Sequence, residues 1–549
     1  MKPFFILAKR FAVFSLLTAS ALCFATAGAA ADGVRLYERW EKAFRGPSEG
    51  NPYVDVKFGA TFVNGADTLN VKGFYDGDGR YVLRFLPLKP GRWDYVTRSG
   101  AAALDGRKGS VEVAEEAVGH GLARVDGRHG FRYADSTRYM PFGTTAYAWH
   151  HMTSDLKGLT LESLRQGAFN KLRMCVMPKS YALCRKEPEY FPFADGPSAE
   201  EGMTLTARNG RRFDMTRFSP DFFRNLENSV DSLAALGIEA DLILFHPYDK
   251  GEWGFDSMPR EVNLAFADYT ATRLAAFPNV WWSMANEYDY VASKTEADWL
   301  ELIAAVDAAD PYGHLLSIHG STATSFPYGS VDRITHTSIQ DEAPVVEPGR
   351  ASILRCVYRK PVVLDEVCYE GNLPNRWGRL SGQEMVHRIL NGVLAGVYVT
   401  HGECFLRHTS DSDTIMWAEG GRQRGESWKR VGFIRDLAES MPERLQAADV
   451  SRDVMTYTGG PGRYLIYFGE NMRDSWQFNL PAKCADYGNI RQGAKYRVEI
   501  IDPWAMTVTP WPETMEVGPK RNYRHYDKDN RSIRLPLTPY IILRVTATE

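Results

Sequence analysis

The sequence is sparing with cysteine, has no excess charge of either sign, and contains one apolar run of any length. Its seven cysteines are scattered over 549 residues, with no paired CxxC spacing and none between residues 32 and 118. That excludes a disulfide framework and a paired-cysteine metal site. Cys175 lies in an apolar run, and Cys368 and Cys404 follow two others, so the cysteines are expected to be small buried hydrophobes. A single bridge such as Cys175 to Cys184 stays open. Lysine and arginine together number 65 against 68 aspartate and glutamate, which excludes the basic stripe that a nucleic-acid partner demands. No low-complexity tract interrupts a composition that is 44% hydrophobic and 24% charged, so extended disorder is excluded as well. The apolar run, Phe11 to Phe24, is shorter than the roughly twenty residues of a membrane-spanning helix. It follows Lys2, Lys9 and Arg10 and leads into small residues, the pattern of a cleaved secretory signal over residues 1–31. Export to the periplasm or medium is expected, with no membrane attachment beyond that signal.

Three folded units are expected from a chain of this length. Residues 32–118 alternate with period two (Val54, Val56, Phe58; Tyr81, Leu83, Phe85; Trp93, Tyr95) between turns at Asp76-Gly77-Asp78-Gly79 and Pro90-Gly91, which predicts an antiparallel β-sandwich. It is expected either to bind sugar or to brace the next unit. From 127 to 440 the texture changes to short apolar strands separated by helical patterns. Eight strands are predicted: Tyr139 to Thr145, Phe169 to Met177, Glu239 to Phe245, Val280 to Ala285, Leu315 to His319, Ile334 to Ile339, Val362 to Val367 and Gly396 to His401. Eight such units over about three hundred residues is the size of a (β/α)8 TIM barrel. The clearest helix starts at Ser219-Pro220, puts Phe223, Leu226, Val230 and Leu233 on one face and stops at Gly237. The stretch from Pro178 to Phe218 is far longer than an ordinary βα loop, so it is expected to lie over the active-site face. Alternation returns in residues 449–549 (Tyr464, Ile466, Phe468; Val498, Ile500), predicting a C-terminal antiparallel β-domain of sandwich type.

The strongest chemical signal is Asn279-Val280-Trp281-Trp282-Ser283-Met284-Ala285-Asn286-Glu287, an apolar strand that ends in a carboxylate. A charge delivered by a buried strand needs a reason, and at the C-terminal end of a barrel strand it enters the shared pocket, where desolvation lets it hold a proton near neutral pH. The second signal, Lys360-Pro361-Val362-Val363-Leu364-Asp365-Glu366, falls three strands later. Strands four and seven face one another across a barrel mouth, so Glu287 and Glu366 can flank one glycosidic bond. Strict alternation turns Asp365 the other way, into a structural role.

This pairing resembles the clan A (β/α)8 glycoside hydrolases, in which an Asn-Glu after strand four is the acid/base and a Glu after strand seven the nucleophile. Within that clan it more closely resembles cellulase-like bacterial hydrolases with an N-terminal β-sandwich and a C-terminal β-domain. Met140-Pro141-Phe142-Gly143-Thr144-Thr145, Phe169-Asn170-Lys171-Leu172-Arg173-Met174 and Leu315-Leu316-Ser317-Ile318-His319-Gly320 support the resemblance, which covers nearly the whole chain after the signal. It implies retaining hydrolysis of an oligo- or polysaccharide, with no cofactor and no metal. It further implies that Arg173 hydrogen-bonds the nucleophile, that His246 and His319 orient hydroxyls or the acid/base, and that Asn286 bonds the sugar 2-hydroxyl. Many clan members place a tryptophan after strand eight. Here Tyr398-Val399-Thr400-His401 stands instead, so either His401 contacts the sugar or Trp417 supplies the platform. Tyr147, Trp149, Tyr288, Trp253 and Tyr369 are further stacking candidates.

Two other classes fit parts of the pattern. A metal-dependent barrel hydrolase would use His246, His319, His336 and His401, but strand one ends in Trp149-His150-His151 without the His-x-His that aims two ligands one way. A non-catalytic sugar-binding protein on a degraded barrel is disfavoured by the presence of both glutamates, Asn286 and Arg173.

Overall fold

The alternating N-terminal segment forms a seven-stranded sheet folded back on itself. Strand Asp67–Tyr75 pairs with Phe58–Asn64 as far as Lys72 and with Arg80–Phe85 from Gly73 onward, so one strand serves both layers. Glycine stands at the changeover because a Cβ there would lie 2.3 Å from the Phe58 ring. Phe62 of one layer stacks on Phe85 of the other at 4.2 Å, and Trp40 meets Phe62 edge-on. This computed structural model describes residues 32–548 apart from 168, 182, 185, 407–414, 450–453 and 485–486; the expected signal segment lies outside the described residues. Among the described residues no helix is long and apolar enough to cross a membrane.

The middle of the chain closes into a ring of parallel strands: Gly143–Thr145, Lys171–Cys175, Glu239–Phe245, Val280–Ala285, a broken fifth strand (Leu316–Ser317 and His319–Gly320), Thr337–Gln340, Val362–Glu366 and Tyr398–Val399. The fifth strand breaks at Ile318, where pairing passes from strand four to strand six. A parallel bridge between Gly143 and Thr400 completes the circle. The strands are almost wholly buried, as expected when helices cover the outside and side chains fill the inside. Helix Pro220–Ala234 shows how the sequence sets its ends: Ser219 accepts from the Phe222 N–H, proline opens the first turn, and Phe223, Leu226, Val230 and Leu233 are buried. The long excursion after strand two builds its own antiparallel sheet from Phe193–Asp195, Thr204–Thr206 and Arg212–Phe218.

Strand seven departs from the alternation expected of it. Leu364 pairs with Ile339, yet Glu366 pairs with the next residue, Gln340, so Asp365 is an extra residue in the ladder. Such a bulge lets consecutive side chains share a face, and Asp365 therefore turns into the barrel beside Glu366. There it accepts from Lys171 Nζ at 2.8 Å and Thr400 Oγ1 at 3.0 Å, and from Ser338 Oγ. Lys171 also donates to Asp241 at 2.6 Å, and Arg173 to Asp241 at 3.2 Å. All four charges are buried, and each has an opposite partner.

The C-terminal unit is an antiparallel sheet in which Ile542–Ala547 lies between Arg463–Tyr467 and Lys495–Asp502. It rests on the barrel through Arg430, whose guanidinium lies 4.1 Å from the centre of the Trp504 ring and donates to the Trp504 carbonyl at 3.0 Å. On the other side, Arg84 of the N-terminal unit clasps Glu227 of the barrel with two bonds of 2.7 and 2.9 Å, and Arg273 reaches from the barrel to Asp76 at 2.8 Å. Cys175 is an unbridged thiol, so the bridge to Cys184 does not form; Cys356 is exposed, unlike the buried thiols expected throughout.

Candidate active site

Apolar strands end at the barrel mouth, and the residues just past them form the pocket. Strand four delivers Asn286 and then Glu287, whose backbone takes a left-handed turn (φ 46°, ψ 57°). A non-glycine residue in that region carries strain that the surroundings must hold, a common mark of functional positions. Glu287 is 8% exposed and Glu366 is 7% exposed. Glu366 Oε1 accepts from the Tyr147 hydroxyl at 2.8 Å, and His319 Nε2 lies 3.6 Å from the same oxygen. Burial and the charge of Glu366 push the Tyr147 hydroxyl well above its ordinary value, so it remains a donor. Burial and the Arg173 charge push His319 down, so its imidazole is neutral. Burial and the negative charge of Glu366 together push the Glu287 carboxyl up to about 8, against an opposing pull from Lys179.

Asn286 is held at both ends: its Oδ1 accepts from Arg173 Nη2 at 3.0 Å and its Nδ2 donates to the Tyr248 hydroxyl at 3.1 Å. Arg173 thus does not make the hydrogen bond to Glu366 that the resemblance implied. Its donors go to Asp241, Ser283 and Asn286 because the buried aspartates draw the guanidinium toward the barrel interior. His246 is likewise committed: Nε2 meets the Met177 carbonyl at 3.2 Å and Nδ1 accepts from the Tyr248 N–H at 3.1 Å, stapling the loop after strand two to the loop after strand three. Burial lowers His246 to about 4, consistent with that neutral, bridging form.

His401 is not in the mouth. It is buried against the Phe169 ring, with Nδ1 at 3.1 Å from Thr144 Oγ1 and Nε2 at 2.9 Å from Ser427 Oγ. Trp149 is also core, its indole N–H directed at Met174 Sδ. Trp417 does reach the pocket, edge-on to Tyr147 at 5.8 Å and tilted against Tyr369 at 5.7 Å and Trp377 at 5.4 Å. Tyr288 is half-buried on the strand-four side, its ring edge-on to Tyr328. His246, His319, His336 and His401 do not converge as ligands. The described residues that do converge are Glu370, His401 and Glu403. Their carboxylates already accept backbone N–H groups from Arg424, Gly425, Glu426 and Ser427, and so serve as anchors for the turn before helix Ser427–Glu439.

Residues 126–443 match the model of the apiosidase-like catalytic domain, which spans more than half of the chain. The chain belongs to the apiosidase-like family. Residues 33–100 and 454–546 match two further models, both domains of unknown function. A Bacteroides vulgatus protein assigned to the glycoside hydrolases is 50% identical over 94% of this chain and 100% of its own, with a TM-score of 0.89. A family 5 glycoside hydrolase of the same organism shares 15% identity over 78% of this chain and 93% of its own, with a TM-score of 0.55, a likeness of fold alone. No curated protein matches. The apiosidase-like barrel is therefore that of a glycoside hydrolase, and Glu287 and Glu366 stand at its mouth.

Sequence reasoning missed two contributors to this apiosidase-like pocket and read a third only in part. Lys179 sits among aromatic rings directly after strand two, Tyr248 holds Asn286, and Tyr369 brings its hydroxyl to 3.4 Å from that of Tyr147. Tyr369 was legible only as a stacking candidate. Lys179 and Tyr248 follow Pro178 and Pro247 just beyond strand ends, and that position was the available signal.

Proposed function

We propose that the protein is an exported retaining glycoside hydrolase that acts on an oligo- or polysaccharide by double displacement, with Glu366 as nucleophile and Glu287 as acid/base. The observation that carries this reading is the unlike treatment of two neighbouring carboxylates. Glu366 accepts a hydrogen bond from the Tyr147 hydroxyl, whereas Glu287, desolvated and facing Glu366, holds its proton to about 8. In the first step Glu366 forms a bond to the anomeric carbon, the bond to the leaving oxygen breaks, and Glu287 gives that oxygen its proton. In the second, Glu287 takes a proton from water, the water oxygen bonds to the anomeric carbon, and Glu366 leaves as carboxylate. The aromatic wall built around Trp417 takes the place of the strand-eight platform. The family's name makes apiosides the first substrates to try.

The test is the configuration of the first-formed product, read by proton NMR during hydrolysis of an active glycoside drawn from a panel of apiosides and other glycans. Retention supports the reading, and inversion overturns it. Glu287→Ala with an activated aryl glycoside and azide should yield a glycosyl azide of retained configuration, which assigns the acid/base. Recovery of intact Met1 on protein from the periplasm or medium would remove the proposed export signal.

A further inference from the structure

Lys179 is 3% exposed, yet no carboxylate among the described residues forms an ion pair with it. Its ammonium lies 4.2 Å from the ring centre of Tyr147, 4.4 Å from those of Tyr248 and Trp417, and 5.5 Å from that of Tyr181. Aromatic faces attract a cation, most strongly where water is excluded, so the rings of this cage stand where a counter-ion otherwise would. The position is fixed by backbone rather than left to a flexible tip. The N–H of Ser180 donates to the Tyr248 carbonyl at 2.8 Å, and His246 ties Met177 to Tyr248 on either side of the same seam.

One of the caging rings bonds a carboxylate of the site, and another bonds the residue beside the second carboxylate. Tyr147 donates to Glu366. Tyr248 accepts from Asn286, the residue immediately before Glu287. The ammonium is thus packed against rings that reach both carboxylate-bearing strand ends, and it forms no ion pair with either carboxylate. From this placement, and resting on the assignment of Glu287 as acid/base, we infer that Lys179 is a positioning residue that sets the proton affinity of Glu287 and lets it change from acid to base between the two steps.

The other ionisable groups facing Glu287 are Glu366 from strand seven, Glu342 from the loop after strand six, Asp289 from its own turn, and Tyr181 from the excursion after strand two. Burial first, and then the three carboxylates, push its proton affinity up, and Lys179 opposes them. In the free enzyme burial and Glu366 together prevail over Lys179, and Glu287 keeps its proton for the leaving group. Once Glu366 is esterified to the sugar its charge is gone while that of Lys179 remains. The balance then swings toward ionised Glu287, the form that can take a proton from water.

The experiment compares pH profiles of kcat/KM and kcat for the wild type, Lys179→Met, Lys179→Gln, Lys179→Arg and Glu287→Gln on an activated aryl glycoside. Thermal unfolding and far-ultraviolet circular dichroism identify the folded variants. Glu287→Gln should abolish the alkaline limb of kcat/KM; a limb that persists there defeats the acid/base assignment itself. With that limb assigned, Lys179→Met and Lys179→Gln should move it to higher pH by about one unit, since removing a nearby cation favours the protonated carboxyl. They should also lower kcat at neutral pH about tenfold where deglycosylation limits. Lys179→Arg should keep both values near wild type. An unmoved limb in either folded neutral variant overturns the inference while leaving the catalytic assignment intact, as does an arginine variant displaced as far as the neutral ones.

Discussion

Asp365 and Glu366 are neighbours in one strand, and they live in opposite electrostatic worlds. Asp365 points into the barrel, where, despite burial, Lys171 and Arg173 hold its carboxyl far below the usual range. Glu366 stands at the mouth with one hydroxyl donor, a neutral histidine and a second carboxylate for company. One peptide unit separates a charge that is neutralised to hold the barrel together from a charge left free to react. Fully paired charge makes a scaffold, while under-paired charge makes a reagent at the expense of stability.

The comparison breaks most visibly in activity. Glu366→Ala should cost about a thousandfold or more on every substrate while leaving the melting temperature within a few degrees of wild type, measured by paired kinetics and thermal scans. Asp365→Asn should do the reverse in kind: leaving two buried cations, Lys171 and Arg173, to share Asp241 should destabilise the fold by about 3 to 5 kcal/mol, seen as a lower denaturation midpoint. A catalytically dead but fully stable Asp365→Asn would erase the distinction between the two positions. Glu287→Ala should fall between them in severity. Its loss, up to about a thousandfold on substrates with poor leaving groups, should shrink as the leaving group improves, and a loss independent of leaving group would strip Glu287 of its role.

The smallest effect is also the sharpest in sign. Glu287 keeps its proton to about 8 when folded, against about 4.3 in an unfolded chain. Between those values the native state binds more protons than the unfolded state, so this residue's contribution to stability falls as pH rises. Glu287→Gln should therefore stabilise the protein little at pH 4.5 and by on the order of 2 to 4 kcal/mol at pH 8. Asp365 works oppositely, adding stability above about pH 4 that is lost on acidification. Melting temperatures of the two amide variants across pH 4 to 9 should diverge, and parallel curves would show that the two carboxylates are not different in kind.

The sequence made the barrel and its two glutamates legible for one reason: an apolar strand that ends in a carboxylate is rare unless something at the mouth requires it. It could not reveal partners. Arg173 was expected to bond the nucleophile, and only the fold shows that Asp241 and Asp365 claim it. His246 and His401 look alike as strand-end histidines, and both prove to be tied to backbone or hydroxyl groups. Strict alternation misdirected Asp365 because a single extra residue in strand seven leaves no mark in composition. Lys179 escaped because a lysine in a polar loop looks solvated until four rings from four segments close around it.

The clasp between the first two units also bears on the order in which the chain matures. Asp76 and Arg84 are synthesised well over a hundred residues before their partners Arg273 and Glu227. During that interval the N-terminal sheet must present both charges to water. Docking then desolvates four ionic groups at once, which makes the joint all-or-none: a barrel that has not yet positioned Glu227 and Arg273 offers the waiting sheet nothing to hold.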